Sequence, residues 1–113
     1  MIKMYGIPNC DQIKKTRKFL ADVGLEFEEI NYKLIPPGRE LVESCIRARG
    51  HEVVVNRRST TWRNLEPSRK EVEGEQLIEL LLEQPTLLKR PLIETDGDYV
   101  IGFAEVQKKF GED

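Results

Sequence analysis

The chain has 113 residues, of which 39% are hydrophobic and 34% charged, with a formal net charge of −2 and two cysteines. That length supports one domain around one core, and the slightly acidic balance argues against general nucleic-acid binding. No apolar run approaches membrane length and Met1-Ile2-Lys3 passes into a polar loop without a secretory pattern, so a cytoplasmic protein with reduced thiols and no membrane partner is expected.

The first predicted element is a strand over residues 2–6, broken by Gly6 and Pro8. A helix follows, with Asp11 in its first turn, where a carboxylate suits the dipole. Ile13, Thr16, Leu20 and Val23 recur at spacings of 3, 4 and 3, with Phe19 widening the stripe, and Gly24 is a C′ residue. Cys10 stands at the strand–helix junction. The first N–H groups of a helix lack intrahelical partners and carry the positive end of the dipole, which stabilises a thiolate. Lys14 and Lys15 add positive charge one turn on. Cys10 is therefore read as the reactive atom, against the alternative of a small residue filling the junction. Residues 25–30 read as a second strand, and strand, helix and strand within 30 residues make a βαβ unit with a parallel pair.

Pro36-Pro37-Gly38 closes that unit. Arg39 to Arg49 reads as a helix with Leu41, Val42, Cys45 and Ile46 on one face, stopped by Gly50. Cys45 is thereby a buried small hydrophobe rather than a resolving thiol. His51, the only histidine, is expected in an exposed loop without a catalytic role. Val53-Val54-Val55-Asn56 fits a short strand or a helical turn equally well, residues 57–63 form a polar basic segment around Trp62, and Glu66-Pro67-Ser68 marks a turn. A helix from about Gly74 carries Leu77, Ile78, Leu81 and Leu82 and ends before Pro85. The last elements are a strand reached through Leu87–Glu94, an Asp96-Gly97 hairpin turn, a returning strand over 99–103 and a short helix from about Ala104 to Phe110. The order βαβ, helical middle, ββα predicts an α/β fold with a four-stranded mixed sheet, thioredoxin-like, as a single domain over 1–113 with a helical insertion at about 36–86.

Charge is uneven. Residues 10–20 carry four bases against one acid, and residues 57–70 carry five against one. Two basic segments of this kind suit a small anion or an acidic peptide, and each is also compatible with a solvated surface.

Three stretches resemble a known family. Tyr5-Gly6-Ile7-Pro8-Asn9-Cys10-Asp11 with Lys14-Lys15, then Ser59-Thr60-Thr61-Trp62-Arg63-Asn64-Leu65, then Gln84-Pro85 and Leu88-Lys89-Arg90-Pro91-Leu92 are similar, in order and spacing, to the ArsC (arsenate reductase)/Spx family. The likeness is nearest to its small YffB-like branch and runs over nearly the whole chain. It implies a thioredoxin-like fold, a catalytic cysteine at Cys10, an anion-binding arginine at Arg90, and a cis-proline at Pro91 facing the cysteine. Asn9 and Lys14 beside the cysteine, and Arg57 or Arg58 further on, would complete the anion-binding set. The chain departs from the family at two points. Spx-like regulators and thioredoxins have a second cysteine where this chain has Ile13, and a further arginine expected near Gly102 is missing.

A single thiol needs an external thiol to resolve its adducts. The expected function is therefore a glutathione-dependent thiol–disulfide or oxyanion reductase. Glutathione would serve as co-substrate, either directly or through a glutaredoxin-type reductant. Its carboxylates would meet backbone N–H groups near Cys10 and Pro91 and the guanidinium of Arg90. The substrate would be a small thiol, disulfide or oxyanion, no cofactor or metal would stay bound, and the protein would act as a monomer. The alternatives are a Spx-like transcriptional regulator docking on RNA polymerase and a thioredoxin-fold protein without chemistry.

Overall fold

In the computed structural model, which describes residues 1–111, the elements run β1 (Ile2–Gly6), α1 (Asp11–Asp22), β2 (Phe27–Asn31), α2 (Arg39–Arg49), α3 (His51–Val54), α4 (Thr60–Arg63), α5 (Pro67–Lys70), α6 (Gly74–Glu83), a 3₁₀ turn (Pro85–Leu87), β3 (Leu92–Thr95), β4 (Asp98–Ile101) and α7 (Phe103–Phe110). They form two compact units, one of Met1–Ile35 with the chain from Arg90 onward, the other of Pro36–Lys89.

The first unit holds the sheet, in the order β2-β1-β3-β4. β1 and β2 are parallel, while β1 with β3 and β3 with β4 are antiparallel. This is the expected thioredoxin-like arrangement. Alternation along the strands sends Ile2, Met4, Ile93 and Val100 to one face, where they meet Ile13 and Leu20 of α1 and Val106 of α7 in one buried cluster. Phe19 and Phe103 meet edge to face at 6.0 Å over that cluster's margin. Thr16 is also buried on α1, and its hydroxyl donates to the Gln12 carbonyl at 2.7 Å. On the other face Tyr5 donates to Glu94 Oε1 at 3.2 Å, and Tyr99 reaches Glu94 Oε2 at 3.5 Å. Burial, followed by the Glu94 carboxylate, pushes the Tyr5 phenol up to about 12.

The α1 C-terminus explains where β2 begins. Gly24 adopts φ 79°, its N–H donates to Ala21, and Leu25 N–H donates to Leu20. This 6→1 and 5→2 pair satisfies the last carbonyls of the helix. Because Leu25 is committed to the cap, the ladder starts at Phe27 rather than Leu25. At the hairpin, Asp96 at φ 50° and Gly97 at φ 82° supply the two positive angles of a two-residue turn. β4 stops at Ile101 because Gly102 turns at φ 91°, and α7 starts one residue earlier than expected, with Glu105 accepting from Ile101 N–H at 2.9 Å.

The second unit packs α2 with α3 and α6, and α6 with the 3₁₀ turn. Its buried side chains include Val42, Cys45, Val54, Leu77, Leu80 and Leu81. The Val53–Asn56 stretch resolves as both candidates in succession: a helical turn to Val54, then Val55 in an antiparallel bridge with Leu88. Asn56 N–H donates to Leu87 and Lys89 N–H to Val54, at 2.7 and 2.8 Å. His51 opens α3 rather than lying in a loop, and Pro67 begins the single-turn α5 where only a turn is expected. Arg39 pairs with Glu75 between α2 and α6.

Candidate functional site

The site is built where β1 ends. Ile7-Pro8-Asn9-Cys10 is a tight turn closed by Cys10 N–H donating to the Ile7 carbonyl at 3.0 Å, with Pro8 at the position whose fixed φ suits it. Cys10 becomes the N-cap of α1 in extended conformation (φ −73°, ψ 132°), and its carbonyl accepts the first helical bond from Lys14 at 3.0 Å. No side chain caps this helix. The thiol is half-buried against the core cluster. Asn9 in the turn and Lys14 in the first turn of α1 are both exposed.

Sheet topology brings the second part of the site to the same end of the sheet. β3 runs antiparallel to β1 with Leu92 opposite Tyr5, so the residues just before β3 lie beside the turn that follows β1. These are Arg90 and Pro91, and the bond between them is cis. Pro91 is buried, and its carbonyl accepts from Gly102 N–H at 2.9 Å, which fixes the loop to the start of α7. The Arg90 Nε is buried and its stem runs along the end of β1. A methyl group added at Gly6 would stand 3.8 Å from Arg90 Cγ and 2.8 Å from Ile13 Cγ1. In the sequence Gly6 reads only as a strand breaker; the packing requires glycine there because Ile13 fills the space where a side chain would go.

Arg57 and Arg58 belong to the Pro36–Lys89 unit. There the Arg57 guanidinium lies 3.0 Å from His51 Nδ1 and 5.1 Å above the Trp62 ring, a cation–π geometry. Arg58 serves the turn before α4 through its backbone: its N–H donates to Asn56 Oδ1 at 3.1 Å and its carbonyl accepts from Arg63 at 3.2 Å. Ser59 caps α4 by accepting from Trp62 N–H at 3.1 Å. Cys45 is wholly buried on the core face of α2, and neither Cys10 nor Cys45 is in a disulfide. Among the described residues there is no cluster of metal-ligating side chains, and no helix is long and apolar enough to cross a membrane.

The ArsC family model matches residues 5–109. This chain belongs to the ArsC family. It is 42% identical over 106 residues to an uncharacterized protein of Haemophilus influenzae, covering 93% of each chain. It is 30% identical to the regulatory protein MgsR of Bacillus subtilis, over 90% of this chain and 82% of that one. Among solved structures it superposes on a YffB protein with a TM-score of 0.88, at 33% identity over 93% of each chain. It also superposes on an arsenate reductase (ArsC) related protein from Brucella melitensis with a TM-score of 0.78, at 33% identity over 98% of this chain and 95% of that one. The proteins it resembles thus include both an arsenate reductase-related protein and a regulator.

Proposed function

We propose that this ArsC-family chain is a glutathione-dependent reductase of disulfides or oxyanions, with Cys10 as its nucleophile. The observation that carries this reading is the placement of a partly accessible cysteine at the uncapped N-terminus of a 12-residue helix, at the end of the sheet that also presents Arg90 and cis-Pro91. Helix N–H groups there favour negative charge, and the guanidinium of Arg90 matches a carboxylate or oxyanion in two parallel hydrogen bonds.

For a disulfide the cycle runs as follows. The Cys10 thiolate attacks one sulfur, the substrate S–S bond breaks, and the second sulfur leaves as a thiolate that takes a proton. A glutathione thiolate then attacks the mixed disulfide, freeing the second substrate thiol or Cys10 itself. A second glutathione completes the two-electron balance, yielding two substrate thiols and one glutathione disulfide. With arsenate the same two electrons would reduce As(V) to As(III), and one oxygen would leave as water. Asn9 and Lys14, exposed on either side of Cys10 in sequence, are the further candidates for holding the anion. The cycle requires a compartment that keeps glutathione reduced, which fits the cytoplasm.

The similarity to MgsR supports a second reading, a Spx-like regulator that docks on RNA polymerase. Ile13 counts against it. This residue is 1% exposed within the core cluster, at the position where a redox switch would need its second cysteine. Intact-mass and peptide mapping after oxidation with glutathione disulfide tests the proposal. One glutathione on Cys10 and none on Cys45 is the expected result. A Cys10–Cys45 disulfide would refute the need for an external thiol.

A further inference from the structure

We propose that the exposed Leu34–Ile35 step docks a protein substrate of Cys10, an acidic polypeptide segment with an aliphatic side chain next to its disulfide. The inference rests on the reductase reading and names its substrate class. Leu34 is 78% and Ile35 63% exposed, the only large apolar side chains besides Met1 that are strongly exposed among the described residues. A single exposed leucine is ordinary; two adjacent aliphatic side chains held in place present a contact surface. Asn31 does the holding. Its carbonyl accepts from Leu34 N–H at 3.1 Å and Ile35 N–H at 2.9 Å, and its Oδ1 accepts from Lys33 N–H at 2.9 Å. Ordering paid in advance favours binding.

The step also leaves the sheet at the same end as the nucleophile. β1 and β2 are parallel, Gly6 pairs with Asn31, and Tyr32 N–H donates to the Gly6 carbonyl at 2.9 Å. The turn carrying Leu34 and Ile35 therefore leaves the sheet from the same rung as the turn carrying Cys10, whereas Met1 lies at the opposite end of β1. The two segments, 7–15 and 31–35, expose Lys14, Lys15 and Lys33 against the single acid Asp11. A basic surface with an aliphatic step complements an acidic segment with an aliphatic residue; a small thiol needs no such step. The reaction is the one written above: one partner sulfur bonds to Cys10, the other leaves as a thiol, and glutathione resolves the adduct.

Docking can be read without chemistry. The probe is a fluorescein-labelled short acidic peptide with leucine on each side of one cysteine held as its methyl disulfide, titrated into full-length Cys10→Ser protein and followed by anisotropy. Adding Leu34→Ser and Ile35→Ser should raise Kd about tenfold or more, and replacing the peptide's glutamates by glutamine should weaken binding and remove its salt dependence. In protein that keeps Cys10, the same double substitution should leave turnover of hydroxyethyl disulfide unchanged; Leu34→Glu alone should repel the acidic peptide and serves as an independent variant. Equal Kd with and without the step overturns the proposal, as does a parallel loss of hydroxyethyl disulfide turnover. A dimer that the double substitution abolishes would assign the step to a second copy and also overturn it. Step-dependent peptide binding in a protein that reduces no disulfide would leave the surface standing and remove the reductase reading.

Discussion

At Arg90 the stem is held along the end of β1 and the next bond is the cis bond to Pro91. Lysine keeps the charge there but not the planar fork. Arg90→Lys should weaken glutathione or arsenate binding and Arg90→Ala should weaken it more, by about tenfold or beyond for a charge-assisted pair. Isothermal titration beside urea unfolding checks this; unchanged affinity in a stably folded Arg90→Ala protein would make the arginine structural. Tyr5 gives a separate test on the opposite face. Its phenol is raised to about 12 by burial and by Glu94, so the folded state favours the neutral form. Stability from this group is complete below about pH 10, the value for free tyrosine. It is lost as pH rises through about 12. Tyr5→Phe should flatten the alkaline limb of the stability curve in that window, and at neutral pH should cost about 0.5–1.5 kcal/mol for the lost bond to Glu94. Urea midpoints against pH, wild type beside Tyr5→Phe, would expose an error if the two limbs coincide.

At the end of β1, Gly6 packs closely against Ile13 of α1. Gly6→Ala would force Ile13 out of its place in the core, and overpacking of this kind costs about 1–3 kcal/mol. Shortening Ile13 as well should relieve part of that cost, so the Gly6→Ala/Ile13→Val pair should lose less than the sum of the single changes; strict additivity in urea denaturation would contradict the packing account. The same comparison of elements explains what could be read from sequence. α1, α2 and α6 carry apolar stripes over 10 to 12 residues with glycine or proline at their ends, and α2 has the expected bounds. The hairpin declares itself through Asp96-Gly97. The single-turn helices α3, α4 and α5 do not, because four residues cannot display a helical period and an isolated turn does not nucleate; α4 depends on the Ser59 cap and the end of α3 on the Val55–Leu88 bridge. The start of β2 was hidden for a related reason, since the commitment of Leu25 N–H to Leu20 is a property of the folded cap.

At the scale of the whole chain, the candidate site collects pieces far apart in sequence at one end of the sheet: the turn 7–10, Arg90-Pro91 and Gly102. The placement of Cys10 at the start of α1 was legible because it depends on neighbours within a few residues. Pro91 was legible through resemblance. The environment of Arg57, between His51 and Trp62, was not, because it arises from the folding of the segment around it. On the proposed reading one cysteine does the chemistry and glutathione supplies the electrons. The most direct test is the rate of glutathione disulfide formation with hydroxyethyl disulfide and with arsenate, for wild type, Cys10→Ser and Cys45→Ala. Turnover of at least one substrate by wild type and Cys45→Ala, with none above background by Cys10→Ser, is the predicted result; Cys10→Ser turning over at the wild-type rate would contradict it.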